Sequence, residues 1–348
     1  MKTTTAGIEI KQLTHETEAW NRYAQESDMT TLYHLAGWKR VLEKTFGHAT
    51  YYLYALRNGR IVGLLPLVFL KSLIFGKFMV SLPFVNYAGV IAEDADARTA
   101  LIDAAIRIAR QNKAEHIELR HLAHYDIGLP TKTSKVLMVL DLPATSDELW
   151  KSFKSKLRSQ IKRPGKEGFT VKFGQLEELE SFYDVFTQNM RDLGTPVYTK
   201  RLFENILQEF SDSAGICTVY DGSTPIASGF IIGFKGLLQI PWASSIRAYN
   251  RFSPNMLLYW NILKRACEEG YSQFDFGRST PNEGTYKFKR QWGAVPKPCY
   301  WQYWLASGEE LPEINPHNPR YALMIKTWQR LPLAVTKLLG PGIVKNIP

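Results

Sequence analysis

Cysteine is scarce in this sequence, and the cysteines that are present follow no ligand pattern. The 348 residues contain three of them, Cys217, Cys267 and Cys299, with no CxxC pair and no Cys/His spacing. An odd number of distant cysteines argues against a disulfide framework, and the missing spacing argues against a zinc site. We therefore expect no metal and a reducing compartment such as the cytoplasm.

Several short catalytic signatures are also missing. The sequence contains no GxSxG, no GxxxxGK[ST] and no GxGxxG, and none of its seven histidines forms an HExxH or HxH pair. These motifs build the nucleophile turn of α/β-hydrolases, the phosphate loop of NTPases, the dinucleotide fingerprint and a zinc protease site. The sequence gives no support for any of these enzyme classes.

No uninterrupted apolar run is long enough to cross a bilayer. The longest apolar tract, residues 61–91, is interrupted by Lys71 and Lys77 and broken by Pro66 and Pro83. A membrane-spanning helix needs about 20 consecutive apolar residues. We expect buried strands here, and the N-terminal residues lack the apolar core of a secretory signal.

Acidic charge is in deficit. The formal net charge is +10 and the sequence pI is about 9.3. Such a balance favours anionic partners, namely nucleic acid, phosphorylated precursors or acidic lipid surfaces, without choosing among them.

The periodicity of apolar residues predicts an α/β chain. Turns are expected at Asn58-Gly59, Asp221-Gly222 and Lys235-Gly236, which are strong hairpin signals. Helices are predicted over residues 15–26, 32–48, 95–112, 146–168, 177–191, 199–210 and 253–270. Strands outside the hairpins are predicted over residues 8–13, 79–91, 116–122, 135–142, 169–174, 273–277 and 298–305.

Each half of the chain has the same order of elements: helices, a strand meander, a long helix and further strands. This order predicts a structural pseudo-repeat with mixed central sheets, divided into domains at 1–145 and 146–310. Residues 311–348 form a basic amphipathic tail. The tail would either lie on an acidic membrane surface or dock on the preceding domain.

Residues 275–293 read DFGRSTPNEGTYKFKRQWG. They are the first candidate for a functional site, namely an anion site. Thr280–Glu283 has the form of a capping box with Pro281 at the first helical position. A helix N-terminus beside Arg278 would form an anion site. The alternative is a capped helix whose basic face is only solvated.

Within that helix, Phe288 and Trp292 are four residues apart and share one face. Lys287, Arg290 and Gln291 fall on another face. The aromatic side chains would pack while the cations are presented to solvent or to a ligand.

A second basic stretch covers residues 151–168, with seven Lys or Arg against one Glu. Lys151, Lys154, Arg158 and Lys162 lie three or four residues apart and predict a cationic stripe on one helix face. The stripe would meet a phosphate backbone or a pyrophosphate, or it would be an ordinary solvated face.

A third stretch places Arg247, Tyr249 and Arg251 in a loop ahead of a helix N-terminus. Tyr and Arg together can hold a phosphate through hydrogen bonds and a bidentate contact. They would equally serve to cover the apolar end of the helix.

These stretches resemble a known family. The run LLYWNILKRACEEGYSQFDFGRS followed by YKFKRQWGAVP resembles the second domain of the Fem (FemAB-like) peptidyltransferases, and LWKSFKSKLRSQIKRPGKEGFTVKFG resembles the entry to that domain. GLLPLVFLKSLIFGKFMVSLPFVNYAGV resembles the Fem-related subgroup found beside exosortase/PEP-CTERM and exopolysaccharide gene clusters. The match runs from about residue 30 to 305.

The resemblance implies two tandem GNAT-like domains, of the acyl-CoA N-acyltransferase type. It also implies an aminoacyl- or acyltransferase that acts on an amine of a cell-envelope or exopolysaccharide precursor. The donor would be an aminoacyl-tRNA or an acyl-CoA as a cosubstrate, and the acceptor a nucleotide- or lipid-linked anion. The protein would work in the cytoplasm, or peripherally on the cytoplasmic face of the inner membrane.

The resemblance also suggests roles for residues. Lys287 or Lys289 matches the family's lysine beside the transferred acyl group. No dedicated base stands out; Asp275 is a candidate, and the alternative is that it is the partner of a turn or cap at the end of its strand. By approximate position, Arg247 and Tyr249 lie where the family binds the acceptor phosphate. The other candidates for substrate binding are Arg158, Lys162, Arg251, Arg278 and Tyr286.

Two departures from the family pattern keep other functions open. The segment IRAYNRFSPN lacks the glycine-rich pyrophosphate loop of acetyl-CoA enzymes, and the charged helical hairpin thought to meet tRNA is missing. One alternative is an acyl-CoA-dependent N-acyltransferase on a nucleotide sugar. Another is a non-catalytic Fem-like module that binds an anionic glycan or tRNA.

Overall fold

The structure is a computed structural model, and it describes residues 7–72, 75–307, 311 and 319–347. The chain divides into two compact units. The first consists of Met1–Lys135, Pro298–Glu313 and Asn346–Pro348, and the second of Val136–Lys297 and Ile314–Lys345. Each unit has its own sheet system and its own apolar core.

The strands are, in chain order, β1 (Ile8–Gln12), β2 (Ala49–Thr50), β3 (Leu53–Arg57), β4 (Arg60–Leu65), β5 (Val68–Ser72), β6 (Gly76–Val80), β7 (Ile91–Ala92), β8 (His116–His121), β9 (Thr131–Lys132), β10 (Val136–Asp141), β11 (Thr170–Gly174), β12 (Ala214–Asp221), β13 (Thr224–Phe234), β14 (Leu237–Ser245), β15 (Gln273–Ser279), β16 (Val295–Pro298) and β17 (Tyr300–Leu305). The α-helices are α1 (Glu18–Glu26), α2 (Gly37–Phe46), α3 (Ala95–Gln111), α4 (Ser146–Ser152), α5 (Ser155–Lys162), α6 (Leu179–Leu193), α7 (Lys200–Glu209), α8 (Pro254–Glu268), α9 (Gly284–Arg290), α10 (Pro319–Arg330) and α11 (Leu333–Val344).

The first unit contains two sheets, with strand orders β1-β3-β4-β7 and β2-β5-β6-β8-β17-β9. The turn between β3 and β4 has Asn58 and Gly59 at φ of 50° and 79°, as a two-residue hairpin of the primed type requires. Helix α3 begins at the predicted place because Asp94 accepts a hydrogen bond from the Ala97 N–H at 2.9 Å. Its apolar face packs on the first of the two sheets.

The second unit is built on one seven-stranded sheet, in the order β11-β12-β13-β14-β15-β10-β16. Helices α6 and α8 cover its opposite faces, as consecutive residues of β13 show. Phe230 packs against Phe182 of α6, whereas Ile231 belongs to the cluster that contains Ile262 of α8. The unit is therefore a helix–sheet–helix layer structure.

The two units repeat one arrangement. In each, antiparallel strands precede a long helix, and the strand that follows the helix pairs in parallel with one of the preceding strands. The parallel pairs are β6 with β8, with β7 and α3 between them in the chain, and β14 with β15, with α8 between them. Most of the other pairings are antiparallel, so the predicted pseudo-repeat with mixed sheets is confirmed.

Two strands pair in sheets to which the sequence did not assign them. β10, predicted to close the first half, pairs antiparallel with β15 of the second unit. β17, predicted to end the second half, pairs antiparallel with β8 of the first unit. The compact units consequently divide after Lys135 and Lys297, whereas the sequence suggested boundaries near residues 145 and 310.

Two predicted helices are interrupted. The segment 32–48 is a 3-10 turn at Leu32–His34 followed by α2, which ends at Gly47 in the left-handed conformation with φ of 70°. The segment 146–168 is broken at Phe153 and Lys154, so α4 and α5 are separate helices. The Thr145 side chain caps α4 by accepting a hydrogen bond from the Glu148 N–H at 3.2 Å.

The C-terminal helices dock on the second unit. The Gln329 amide donates to the Asp192 carbonyl at 3.1 Å, and Lys337 contacts the Asp184 carboxylate at 2.8 Å, both on α6. Residues 312–318 and 348 of the predicted tail lie outside the described residues. Within the described residues, no helix has the length and apolar character that a membrane crossing requires.

Candidate functional site

The parallel strands β14 and β15 of the second unit are paired over only three residues. The ladder joins Leu237–Gln239 to Gln273–Asp275 and stops at the pair Gln239 and Asp275. β14 continues to Ser245 and β15 to Ser279, while β15 stays paired with β10 on its other edge. The end of this ladder lies at the centre of the sheet and next to Asp275, one of the predicted site residues.

A β-bulge at Gly277 shapes β15 at this point. Leu137 and Val139 of β10 are paired with Arg278 and Asp275, so one residue of β10 faces two residues of β15. Gly277 has φ of 79°, and its N–H donates to the Asp275 carboxylate at 2.7 Å. Leu137 and Val139 lie on one face of β10, and the bulge therefore brings Asp275 and Arg278 to one face of the sheet.

Lys289 of α9 completes this group. Its ammonium donates hydrogen bonds to the Gly277 carbonyl at 3.0 Å and to the Arg278 carbonyl at 2.9 Å. The side chain is 8% exposed, and burial lowers the pKa of Lys289 from its ordinary 10.5 to about 8. Nearby Asp275 raises this pKa and Arg278 lowers it, both less than burial does.

The structure separates the two lysines between which the sequence did not choose. Lys289 points into the protein, whereas Lys287 is exposed together with Arg290 and Gln291. Phe288 is half-buried and Trp292 is 1% exposed, as predicted. Lys289 shares the buried face because it lies three residues before Trp292, a signal that the sequence did contain.

The predicted capping box at Thr280–Glu283 is wrong. These residues form a turn in which Asn282 has φ of 67° and the Glu283 N–H donates to the Thr280 carbonyl at 3.3 Å. Helix α9 begins only at Gly284 and is seven residues long. A left-handed Asn282 cannot continue a right-handed helix from Pro281.

Gln239 is a residue that the sequence analysis missed. It is 2% exposed, and as the ladder partner of Asp275 it lies on the same face of the sheet. Among the described residues its amide nitrogen has no hydrogen-bond partner. Buried polar groups without partners are rare and often mark functional places. We call Gln239, Asp275, Arg278 and Lys289 the ladder-end site.

The segment with Arg247, Tyr249 and Arg251 forms a 3-10 helix, Arg247–Phe252, ahead of α8. Tyr249 packs edge-on against Phe169, with ring centroids 6.3 Å apart. The Arg251 guanidinium lies 4.5 Å from the Phe252 ring centroid. These contacts favour the covering role for Tyr249 and Arg251, while Arg247 is exposed.

The second basic stretch does not form one continuous cationic face, because the chain breaks at Phe153 and Lys154. Its later part lines a cavity of about 720 Å³ that includes Arg158, Lys162, Arg163, Lys166 and Glu167. We call this cavity the basic groove.

Two further observations concern the predicted site. Tyr286 is half-buried and packs on the apolar core of the second unit. Among the described residues, no three His, Cys, Asp or Glu side chains are placed to hold a metal ion. The predicted roles of all these residues stay predictions.

Comparison with known proteins agrees with this architecture. Residues 151–290 match the acetyltransferase (GNAT) domain family. No curated protein matches the chain at a significant level. The fold is similar to that of FemX, with a TM-score of 0.65 at 17% identity over 84% of this chain and 96% of FemX.

Two other solved structures are similar. One is the C-terminal domain of a putative lysylphosphatidylglycerol synthetase from Agrobacterium fabrum, with a TM-score of 0.57, 14% identity, and coverage of 89% of this chain and 95% of that one. The other is a tandem GNAT protein from the clavulanic acid biosynthesis pathway, with a TM-score of 0.54, 10% identity, and coverage of 88% and 100%. The predicted Fem-like fold is confirmed, and so is the acyltransferase class of the GNAT domain.

Proposed function

We propose that this protein transfers an aminoacyl group from tRNA to an amine of a cell-envelope or exopolysaccharide precursor. The acceptor would be a nucleotide- or lipid-linked anion, handled at the cytoplasmic side of the membrane. We further propose that the protein belongs to the Fem-related subgroup associated with exosortase and PEP-CTERM systems. The segment 63–90 supports that assignment through its resemblance to the subgroup.

The observation that carries the proposal is the position of Lys289 in the ladder-end site. An ammonium has three donors, and two of them bind the Gly277 and Arg278 carbonyls. Lys289 has no other hydrogen-bond partner within the described residues, so one donor remains for the oxygen of a bound acyl group. A preorganised, buried cation stabilises the oxyanion that forms when an amine attacks a carbonyl.

The reaction requires little else from the protein than positioning. The amine nitrogen forms a bond to the carbonyl carbon, the ester C–O bond breaks, and the proton lost by the amine goes to the leaving oxygen, which departs as the tRNA ribose hydroxyl. Holding both substrates in line supplies much of the rate enhancement. Asp275 and Arg278 lie near Lys289, where Asp275 raises its pKa and Arg278 lowers it, both less than burial does. We assign them this electrostatic role rather than that of a general base.

The region before α8 supports an aminoacyl-tRNA donor. A CoA pyrophosphate needs unpaired backbone N–H groups at a helix N-terminus. Here the N–H groups of Tyr249 and Ser253 already donate to the Ile246 and Asn250 carbonyls at 3.0 and 3.1 Å. Pro254, the first residue of α8, has no N–H. The basic groove offers an alternative surface for a polyanion.

A second candidate is an acyl-CoA-dependent N-acyltransferase that acts on a nucleotide sugar. The match of residues 151–290 to the acetyltransferase domain family favours it, because GNAT domains use acyl-CoA as a cosubstrate. The two candidates share the ladder-end site and differ in the donor.

The test is a turnover assay with the purified full-length protein. Charged tRNAs and acyl-CoAs are each offered with UDP-linked amino sugars as the amine acceptors, and products are identified by mass spectrometry. We expect product from charged tRNA, with kcat lowered about 100- to 1000-fold in Lys289→Met. Lys287→Met is the matched control because it removes an exposed lysine from the same helix, and its kcat should stay within about twofold of wild type.

Each other result has a definite meaning. Product from acyl-CoA alone selects the second candidate. Equal turnover by wild type and Lys289→Met contradicts the role of Lys289. Salt-dependent binding of tRNA or glycan without any product identifies a non-catalytic binding module.

A further inference from the structure

The C-terminal helices expose an unusual amount of apolar surface. Among the described residues, ten large apolar side chains are exposed, and five of them lie on α10 and α11. These five are Leu323, Met324, Leu338, Leu339 and Ile343, which we call the tail surface. Leu338 is 79% exposed, and Leu323 and Met324 are 68% and 65% exposed. Such concentration in two helices indicates an interaction site.

Helix α11 has two distinct faces. Thr336, Gly340 and Val344 are four residues apart and buried. A Cβ atom built on Gly340 would lie 2.8 Å from the Val197 nitrogen, so this face of the helix fits closely against the second unit. Leu338 lies on the opposite side of the helix, and Leu339 and Ile343 lie beside the buried face; all three are exposed. Docking of the helix therefore leaves a leucine-rich face turned outward.

Helix α10 is anchored in a similar manner. Gln329 donates to the Asp192 carbonyl, and Ile325 lies against Gly194, where a Cβ atom would meet its side chain. Leu323 and Met324 remain exposed. The tail surface is thus held out by helices that are themselves attached to α6.

From residue 314 onward, the tail carries charge of one sign. Residues 314–348 contain five Lys or Arg and no Asp or Glu. They are Arg320, Lys326, Arg330, Lys337 and Lys345. Lys337 forms an ion pair with Asp184 at 2.8 Å, while Lys326 and Arg330 are exposed. Exposed leucines together with the exposed charges of Lys326 and Arg330 complement an anionic apolar partner.

We propose that the tail surface binds the surface of an anionic lipid bilayer, with α10 and α11 lying in the plane of the interface. Apolar side chains would enter the acyl boundary while Lys326 and Arg330 meet lipid phosphates. Neither helix is long and apolar enough to span a bilayer. Two copies of this tail would bring like charges together, which disfavours a dimer as the occupant.

The test is flotation of the full-length protein with vesicles of phosphatidylcholine alone or with added phosphatidylglycerol. Leu338→Gln/Leu339→Gln/Ile343→Gln should lower the partition coefficient on phosphatidylglycerol vesicles by about tenfold or more. Met29→Gln/Leu122→Gln/Leu176→Gln is the matched control, since these side chains are 44%, 41% and 49% exposed elsewhere. It should bind like wild type. Thermal unfolding checks that both variants are folded.

A charge variant tests the lipid preference separately. Lys326→Gln/Arg330→Gln should weaken binding to phosphatidylglycerol vesicles about tenfold and leave the weak binding to phosphatidylcholine unchanged. Equal binding of wild type to both vesicles overturns the proposal, as does full binding by the leucine variant. Self-association that the leucine variant abolishes, without vesicle binding, identifies an interface between copies and also overturns it. Vesicle binding needs no turnover, so this inference stands apart from the proposed reaction.

Discussion

In both units an acidic residue lies at the end of the parallel ladder, but its surroundings differ between the units. In the first unit the parallel ladder of β6 and β8 ends at the pair Val80 and Glu118. In the second unit the ladder of β14 and β15 ends at Gln239 and Asp275. Both carboxylates are buried and both have a cationic side chain near them. The difference lies in how the cation is neutralised.

The ladder end of the first unit is closed. The Glu118 carboxylate accepts hydrogen bonds from Arg120 at 2.6 Å and from the Tyr303 hydroxyl at 2.8 Å. Arg120 also donates to the Val85 carbonyl and lies 4.5 Å from the Trp301 ring centroid. The Ser81 N–H donates to the Glu118 carbonyl, which continues the pairing beyond the ladder. This cation is structural.

The ladder end of the second unit is not closed in this way. Lys289 binds two neutral carbonyls, and burial lowers its pKa to about 8. The protein maintains a partly compensated buried charge here, and such groups are found preferentially at functional sites. The ladder end of the first unit therefore serves as a structural reference. Compared with it, the ladder end of the second unit has the features of a functional site.

The largest effect is expected when the Arg120–Glu118 ion pair at the ladder end of the first unit is removed. Arg120→Met leaves the buried Glu118 carboxylate without its cation and should lower the free energy of unfolding by about 3–5 kcal/mol. Urea denaturation measures this. Arg60→Met is the control, because the Arg60–Glu93 pair is exposed and its loss should cost less than about 1 kcal/mol. A smaller effect for Arg120→Met than for Arg60→Met would show that the first ladder end is not a structural ion pair.

The next effect concerns the pH dependence of the second ladder end. Between pH 8 and 10.5 the unfolded chain keeps the Lys289 proton and the folded protein loses it, so the free energy of unfolding rises with pH. Relative to Lys289→Met, wild type should gain about 3 kcal/mol over this range. The measurement is urea denaturation of both proteins from pH 7 to 10.5.

Lys287→Met provides the control for that titration, because it removes an exposed lysine of the same helix. Its stability relative to wild type should not change over this pH range. If the free energy of unfolding of Lys289→Met has the same pH dependence as that of wild type, Lys289 is not held in a desolvated environment. The two ladder ends would then not differ in the way proposed.

Local sequence patterns predicted most elements of both units. The hairpin at Asn58-Gly59 and the helices α3, α6 and α8 follow from turn chemistry and apolar spacing, which act within a few residues. The exchange of β10 and β17 between the sheets could not be predicted, because strand pairing over long distances leaves no local pattern.

The candidate site shows the same division. Helical spacing alone would have selected Lys289 over Lys287, since only Lys289 shares the face of Trp292. The meeting of Asp275 and Arg278 on one face depends on a bulge against β10, and the location of that bulge is visible only once the partner strand is known. Gln239 likewise could be recognised as part of the site only from its pairing with Asp275 in the ladder.

The smallest expected effect concerns the bulge that distinguishes the two ladder ends. In the first unit Glu118 and Arg120 are two residues apart and share a face by ordinary alternation, whereas the second unit needs Gly277 at φ of 79°. Gly277→Ala should cost about 1–2 kcal/mol of stability because an alanine is strained in this conformation. It should also lower transfer activity, because the carbonyls that hold Lys289 belong to Gly277 and Arg278. Thermal unfolding and turnover measure the two effects.

Gly215→Ala in β12 is the control, because a Cβ atom there meets only ordinary contacts at 3.4 Å or more, and it should change neither stability nor turnover. If Gly277→Ala behaves like Gly215→Ala, the bulge does not hold the lysine, and the second ladder end owes its properties to burial alone.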